Sequence, residues 1–264
     1  MKKIKVSHEV PFCLLKQSRD FNDYDYCLPH LMDENEEYRN FFYESKKMGR
    51  YIVMDNSLHE LGEAYNTERL LHWIEEIKPN EFIVPDVWED KDASVRNAKQ
   101  WSKVELPDGV MKVAVVQAKS MHEALLCTIA YKDFGYEKIA YSYGASYYND
   151  ICPHPNQDLG KAIGRFIAIS SLYEQGILSK FDRVHLLGTA SPIEFGMYKN
   201  IECIESIDTS NPIMAAIGEM PYTKMGLHSK PLANMNKYQD MSLEFLNEDL
   251  VDWNVDMFRE INGL

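Results

Sequence analysis

The chain has 264 residues, of which 45% are hydrophobic and 12% aromatic, so it can bury a substantial core and is not a disordered chain. Acidic residues outnumber basic ones by 41 to 28, and the net charge of -13 disfavours general binding of polyanions, although a local basic face can coexist with it. No apolar run has the length of a membrane helix, and the start lacks the apolar core of a signal peptide, so we expect a cytoplasmic protein without membrane contact.

Short β-rich runs alternate with helical patterns along the chain. The strand candidates are, in order, YIVM (51–54), EFIVPD (81–86), MKVAVVQ (111–117), EKIAYSY (137–143), RVHLLG (183–188) and IECIESID (201–208). Helical patterns occupy 66–78, 91–104, 121–135 and 158–176. The first of them opens with an Asn-Thr cap and is predicted to bury one face formed by Leu70, Leu71, Ile74 and Ile77.

This βα repeat predicts the fold class. Six visible strands, with less certain ones near each terminus, fit a single-domain α/β protein with a (β/α)8 TIM-like barrel better than an open doubly wound sheet, which is the alternative. Residues 21–47, rich in Tyr, Asp, Asn and Glu, are interpreted as an insertion before the second strand. The acidic tail, 240–264, is predicted to form one or two C-terminal helices.

Polar residues and glycines follow the strand candidates where each strand ends. They are Asp55, Asp86, Gln117, Gly144, Gly188 and Asp208. Ligands of barrels and open α/β sheets lie at the carboxyl ends of the strands, so these residues predict one binding site. Asp55 alone could be an ordinary acidic residue in the turn that ends a strand. That interpretation accounts less well for three acids and an amide at one rim.

The same segments, in this order, resemble the tRNA-guanine transglycosylase superfamily, and most closely its zinc-free DNA-acting phage and bacterial branch. MDNSLHELG (54–62) resembles the family's Asp-Ser-Gly-Gly segment, VPDVWEDKDASVRNAKQW (84–101) its Asp-containing loop and helix, and VVQAKSMHEAL (115–125) its Gln-containing strand. YSYGAS (141–146) resembles the glycine-rich base-binding loop. HLLGTASPIEF (185–195) and IESIDTSNP (204–212) resemble the Leu-Gly-x-x-x-Pro turn and the nucleophile segment.

The resemblance implies cleavage of a nucleoside N-glycosidic bond through a covalent aspartyl-glycosyl intermediate, followed by exchange of guanine or a 7-deazaguanine-type base without a cofactor. Asp208 would be the nucleophile, and Asp55 would move protons to and from the base. Asp86 and Gln117 would read the edge of the base through a carboxylate and an amide. As ordinary alternatives, Asp208 could cap the following helix and Gln117 could be a loop or core residue.

The neighbouring residues are given supporting roles. Asn56 and Ser57 are predicted to bind the base or to hold Asp55, Gly144 allows close approach of the backbone, and Gly188 is predicted to be a substrate-binding residue. Tyr143 or Tyr141 is predicted to stack on the base, with an ordinary core role as the alternative for each. His59 and Glu60 are interpreted either as members of the proton network or as solvated loop residues.

Departures from the family bear on the substrate. No cysteine follows Cys203, so the zinc site of the tRNA-acting enzymes is missing and no metal is predicted. Ile213 and Met214 replace the Thr-Arg pair of those enzymes, and the glycine-rich loop lacks its second glycine and later acid. DNA is therefore favoured over tRNA as the partner, with a free nucleobase as second substrate. A nucleoside or nucleotide substrate and any oligomeric state stay open.

Three alternative functions are kept. A DNA glycosylase would let water reach the covalent intermediate and leave an abasic site. A catalytically idle barrel would recognise a modified base or nucleotide through the same rim and would not need both Asp55 and Asp208. A metal-dependent hydrolase would use Asp55, Asp86, Asp208 and His185 as ligands, but the chain lacks H-x-H or H-E-x-x-H spacing.

Overall fold

The computed structural model describes residues 3–227 and 239–264. Its strands are β1 (Lys5–Ser7), β2 (Asp25–Cys27), β3 (Ile52–Met54), β4 (Glu81–Ile83), β5 (Met111–Val116), β6 (Lys138–Ser142), β7 (Arg183–Leu187) and β8 (Ile204–Asp208). They form one parallel sheet in the order β1-β8-β7-β6-β5-β4-β3-β2, which nearly closes into a barrel. The (β/α)8 prediction is therefore confirmed, and the open-sheet alternative is wrong.

Helices alternate with the strands around this barrel. They are α1 (Ser18–Phe21), α2 (Pro29–Glu34), α3 (Glu36–Lys47), α4 (Leu58–Leu61), α5 (Thr67–Ile77), α6 (Lys91–Trp101), α7 (Met121–Asp133), α8 (Tyr147–Ile151), α9 (Gln157–Glu174), α10 (Asn211–Ile217) and α11 (Glu248–Asn262). Short 3-10 turns span Phe12–Leu14, Glu194–Asn200 and Leu243–Phe245. In the described ranges, no helix combines the length and apolar character needed to cross a bilayer.

The cap of α5 is as predicted, but one residue of its buried face is not. The Asn66 side chain accepts hydrogen bonds from the backbone N–H groups of Glu68 and Arg69 and so starts the helix. Leu71 is 37% exposed, whereas Trp73 is buried beside Leu70 and the two isoleucines. Trp73 lies three residues after Leu70 and four before Ile77, so it shares their inner face of the helix. Leu71 is rotated by about 100° from Leu70 and therefore faces outward.

The segment 21–47 is part of the barrel, so the prediction that it is an insertion is wrong. It contains β2, which pairs in parallel with β3, followed by α2 and α3. The sequence of this strand, Asp-Tyr-Cys, lacks the apolar run by which β3 to β8 are recognised. The buried carboxylate of Asp25 is satisfied by Arg50, whose Nε lies 2.9 Å from both of its oxygens.

Hydrogen bonds of backbone and side-chain groups connect the regions of β1 and β2, which are not paired with each other in the described sheet. The Asp23 N–H donates to the Val6 carbonyl (2.9 Å), and the Val6 N–H donates to the Asp23 carboxylate (2.9 Å). Farther along, the His8 N–H donates to the Asn22 side chain (2.7 Å). The first two strands are thereby fixed beside each other, and their carboxyl ends join the same rim as the other six.

The C-terminal segment supports the rim from outside. Helix α11 packs on α10, which directly follows β8. The buried Asn254 amide donates to the carbonyls of Pro212 and Met220, and its oxygen accepts from the Tyr222 N–H. These bonds tie the last helix to the segment that follows Asp208, in agreement with the prediction of C-terminal helices.

Candidate active site

A cavity of about 360 Å³ opens at the carboxyl ends of the strands. Seven of the nine predicted site residues line it: Asp55, Asn56, Asp86, Gln117, Tyr143, Gly188 and Asp208. They come from the ends of six consecutive strands, β3 to β8, or from the loops that follow them. Parallel strands of a barrel deliver their carboxyl ends to one rim, which is why residues far apart in sequence meet there.

The other two predicted residues, Ser57 and Gly144, lie behind the cavity wall. Ser57 has a left-handed backbone (φ 58°), and its hydroxyl bonds to His30 Nδ1 at 2.7 Å. Its N–H donates to the Asp55 carboxylate (3.1 Å), so it holds Asp55 in place. A Cβ on Gly144 would lie 2.0 Å from the Trp88 ring, so this glycine admits the indole that lines the cavity.

Asp86 is clamped between two amides. The Asn56 side chain donates to Oδ1 (2.6 Å), and the Gln117 side chain donates to Oδ2 (2.7 Å). Burial raises the pKa of Asp86 to about 6, against the lowering effect of these hydrogen bonds. Each carboxylate oxygen has a second lone pair, so an ionised Asp86 can still accept two N–H groups from a ligand.

Gln117 is oriented by its neighbours. Its oxygen accepts from the Glu89 N–H (3.0 Å), and one N–H of its amide goes to Asp86. The second N–H is left for a ligand acceptor. Glu89 has φ 48°, and its carboxylate accepts from the Ser146 N–H (2.5 Å), so the loops after β4 and β6 are joined. A donor from Gln117 thus lies beside an acceptor from Asp86.

Asp55 is buried in a negative environment. Its pKa lies well above the ordinary value of an aspartate, first because of burial and then because of the charge of Glu60. A backbone hydrogen bond from Asn56 lowers the pKa, and the charges of Asp208 and Asp86 raise it further. Asp55 therefore holds a proton under conditions in which an exposed aspartate would be ionised, as a proton donor to a leaving group requires.

Acids dominate the cavity. Its charged lining residues are Glu9, Asp55, Glu60, Asp86 and Asp208, and no Lys or Arg is among the described residues that line it. Burial raises the pKa of Glu60 to about 7, with a further contribution from the charge of Asp208. The Oε2 atom of Glu60 is enclosed and has no hydrogen-bond partner in the described part of the chain. Such a cavity suits a ligand that donates N–H groups and disfavours a phosphate inside it.

Asp208 ends β8 and is held through one oxygen. Its Oδ1 accepts from His185 Nε2 (3.0 Å) and from the Gly188 N–H (3.4 Å). Gly188 has φ 59°, and a Cβ there would lie 2.4 Å from the Tyr143 ring. The backbone conformation of Gly188 directs its N–H toward Asp208. Its lack of a side chain also leaves room for the Tyr143 ring to pack over the backbone of the loop after β7.

Buried Arg165 fixes that loop from behind. It donates to the carbonyls of Tyr141 (3.0 Å), Leu187 (2.9 Å) and Gly188 (2.7 Å). Its charge is paired with fully buried Glu194 at 2.6 Å. Because three carbonyls and one carboxylate satisfy the guanidinium, the turn after β7 is held where the Gly188 N–H can reach Asp208.

Three rings surround the mouth of the cavity. His59 lies 6.1 Å from Trp88 and 6.0 Å from Tyr143, and all three line the opening. Trp88 is 40% exposed, so its ring face is available to a ligand. Tyr141, the alternative stacking residue, lies in the core, where its hydroxyl bonds to Thr128 at 2.7 Å.

Sequence reasoning missed several lining residues, among them Trp88, Glu9 and Tyr26. Trp88 follows Asp86 by two positions in the same strand-end loop, and that spacing was a usable signal. Glu9 and Tyr26 come from the first two strand regions, which have no recognisable apolar run. Their entry into the cavity could be inferred only after those short strands were placed in the barrel.

The proposed ligand set of a metal-dependent hydrolase does not assemble. Among the described residues, no group of three or more His, Cys, Asp or Glu side chains has the geometry to hold a metal ion. His185 instead uses both ring nitrogens for Ser206 and Asp208, and Asp86 is held by amides.

No protein-family model and no curated protein matches this chain. The functional assignment is therefore built on the geometry of the cavity and the chemistry of its residues.

Proposed function

We propose that this protein cleaves the N-glycosidic bond of a nucleoside unit through a covalent bond to Asp208 and then exchanges the base. One observation carries the proposal: Asp55 and Asp208 line a single cavity together with the Asp86–Gln117 pair. Two carboxyl groups with different surroundings are what a double displacement at a sugar carbon requires.

In the first half-reaction, Asp208 attacks the anomeric carbon of the nucleoside. A bond forms between that carbon and a carboxylate oxygen, and the bond from the carbon to the base nitrogen breaks. The electron pair of the broken bond stays on the nitrogen, which takes the proton of the Asp55 carboxyl group. The raised pKa of Asp55 supports this role, because it favours the protonated form that the step requires.

In the second half-reaction, a new base replaces the departed one. The Asp55 carboxylate takes the proton from the ring nitrogen of the incoming base, which attacks the anomeric carbon and releases Asp208. Water at the same place would give hydrolysis instead. The edge-reading pair Asp86 and Gln117 supports exchange, since it gives an incoming base a fixed position in the cavity.

Guanine and 7-deazaguanine-type bases match this pair. Their ring N–H and amino group can donate to Asp86, and their carbonyl oxygen can accept the remaining N–H of Gln117. Trp88 and Tyr143 offer aromatic faces at the mouth on which the base can stack. This recognition requires an ionised Asp86.

DNA is the proposed nucleic acid, and a free nucleobase is the second substrate. The acidic lining admits the base and sugar but disfavours phosphate, so a nucleotide of the strand would be extruded into the cavity with its phosphates outside. No cofactor takes part in these steps.

The test is base exchange with radiolabelled guanine. A DNA oligonucleotide containing guanine is incubated with the protein and the labelled base, and incorporation of label into DNA is measured. We expect incorporation with the natural protein and none with D208N, in which the nucleophile is an uncharged amide. Parallel reactions with tRNA and with guanosine identify the polymer. Equal incorporation by D208N and the natural protein would contradict the proposal.

A further inference from the structure

A line of buried hydrogen bonds runs through the barrel interior to Asp208. Lys138 Nζ donates to Ser206 Oγ (2.7 Å), and Ser206 Oγ lies 2.8 Å from His185 Nδ1. His185 Nε2 lies 3.0 Å from Asp208 Oδ1. Lys138, Ser206 and His185 are each at most 3% exposed, so water does not compete for these bonds.

The direction of each bond follows from the groups involved. Burial lowers the pKa of Lys138, while the charges of Glu81 and Glu205 raise it. Lys138 donates to both oxygens of Glu81 (2.8 and 2.7 Å), and its ammonium form has donors only. Ser206 accepts from Lys138 and has one hydroxyl proton of its own to donate. With that proton directed at His185 Nδ1, this nitrogen is the acceptor of a neutral ring, and the ring proton lies on Nε2, from which it is donated to Asp208.

We infer that His185 is a positioning residue for the nucleophile: the line from Lys138 through Ser206 fixes the Nε2–H form of its ring, which ties down Asp208 Oδ1 and leaves Oδ2 as the attacking oxygen. This inference rests on the proposed function of Asp208. The Gly188 N–H shares Oδ1 (3.4 Å), while no hydrogen bond to Oδ2 exists in the described residues. The Tyr26 ring lies nearly parallel to the His185 ring, with the two centroids 6.4 Å apart.

The electrostatic surroundings make the donor necessary. The titratable and charged groups that act on Asp208 from other elements are Tyr24 just before β2, Tyr26 on β2, Asp55 after β3, Glu60 on α4, and His185 on β7. With Asp55 protonated, as the proposed mechanism requires, Glu60 is the acid among them that repels a negative charge on Asp208 when it is ionised. The Nε2–H donor opposes that repulsion, so its loss favours the protonated, unreactive carboxyl group.

The first experiment compares variants in the guanine exchange assay with guanine-containing DNA. H185L removes the donor and is expected to lower kcat by about 100-fold with little change in KM, because the base is bound before Asp208 acts. H185Q keeps an N–H that can reach Oδ1 and is expected to restore most of that loss. S206A removes the upstream donor and is expected to lower kcat by about tenfold.

The pH profile separates positioning from a merely structural role. In H185L the acid limb of the kcat profile is expected to move upward by about one pH unit, whereas loss of packing alone lowers kcat equally at every pH. H8Q is the matched control, because buried His8 bonds to the Thr209 carbonyl (2.9 Å) and not to Asp208. Its acid limb is expected to stay in place. An unmoved acid limb in both H185L and S206A would overturn the inference.

A second measurement does not depend on activity. Nitrogen NMR of isotope-labelled histidine reports which ring nitrogen carries the proton, and the His185 signals are identified by their absence from H185Q. We expect a protonated Nε2 and an unprotonated Nδ1 in the natural protein. A proton on Nδ1 overturns the inference even if base exchange occurs. If this form of the ring is found but no exchange occurs, the proposed function fails and the hydrogen-bond line stands.

Discussion

At the residue scale, the buried acids of the cavity lower the free energy of unfolding when they are ionised. Its buried acids have raised pKa values, and that of Glu60 is about 7 against an ordinary value of 4.5. Between those two pH values the folded state binds more protons than the unfolded state, so the free energy of unfolding falls as pH rises through this range. Below it, Glu60 is protonated in both states and contributes no such penalty.

Replacement of Glu60 tests this penalty. E60Q is expected to raise the free energy of unfolding at neutral pH by about 1–2 kcal/mol and to leave it unchanged in acid. Urea unfolding at several pH values measures the difference. E63Q is the control, because Glu63 is exposed and close in sequence, and it is expected to have no effect. A gain in E60Q that is the same at every pH would show that packing and not charge is responsible.

Asp86 gives the pH dependence of base recognition. Its pKa of about 6 means that it loses its charge as pH falls through that value. A protonated carboxyl group cannot accept both N–H groups of guanine, so guanine affinity is expected to fall by about tenfold for each pH unit below the pKa. Calorimetric titration with guanine across this range measures it. In D86N the affinity is expected to be low and independent of pH; a persistent pH dependence there would assign the titration to another group.

At the element scale, the strand-end loops hold the site through a few buried contacts. The pair of Arg165 on α9 and Glu194 in the 3-10 turn after β7 is one of them. E194Q leaves the guanidinium without its buried partner and is expected to destabilise the protein by about 3–5 kcal/mol. Urea unfolding measures the loss. Because the same arginine also holds three carbonyls, R165M is expected to lower exchange activity as well. A fully active R165M would contradict the role assigned to this loop.

The loop after β6 is built around a single glycine. A methyl group at position 144 would lie 2.0 Å from the Trp88 ring, so G144A is expected to displace the indole and raise KM for guanine by about tenfold or more. G196A is the control, since the contacts of its added methyl group begin at 3.4 Å. Steady-state exchange kinetics compare the two. An unchanged KM in G144A would remove Trp88 from the binding site.

At the scale of the whole molecule, the barrel was predictable where strands are long and apolar. Runs such as MKVAVVQ are buried in the centre of a parallel sheet, and their pattern alone identifies them. The carboxyl ends of such strands converge, so Asp55, Asp86, Gln117 and Asp208 could be placed at one rim from the sequence. The first two strands could not be found, because Lys5–Ser7 and Asp25–Cys27 include polar residues and lack a continuous apolar run.

Side-chain contacts between neighbouring strands also could not be predicted from the sequence. His185 reaches Asp208 because β7 and β8 are neighbours, and a register shift at Val184 and His185 sets their alignment. Sequence spacing does not specify that shift. The position of the small helix α4, which places Glu60 in the cavity, likewise depends on how the loop after β3 folds over the rim.

The central claim is a covalent bond between Asp208 and a sugar carbon, and mass spectrometry tests it most directly. The protein is mixed with guanine-containing DNA without free base, quenched in acid and digested, and the peptide that contains Asp208 is analysed. We predict an added glycosyl-DNA mass on Asp208, loss of that mass on addition of guanine before quenching, and no adduct in D208N. Exchange of base without any adduct on Asp208, or an adduct on Asp55 instead, would contradict the account.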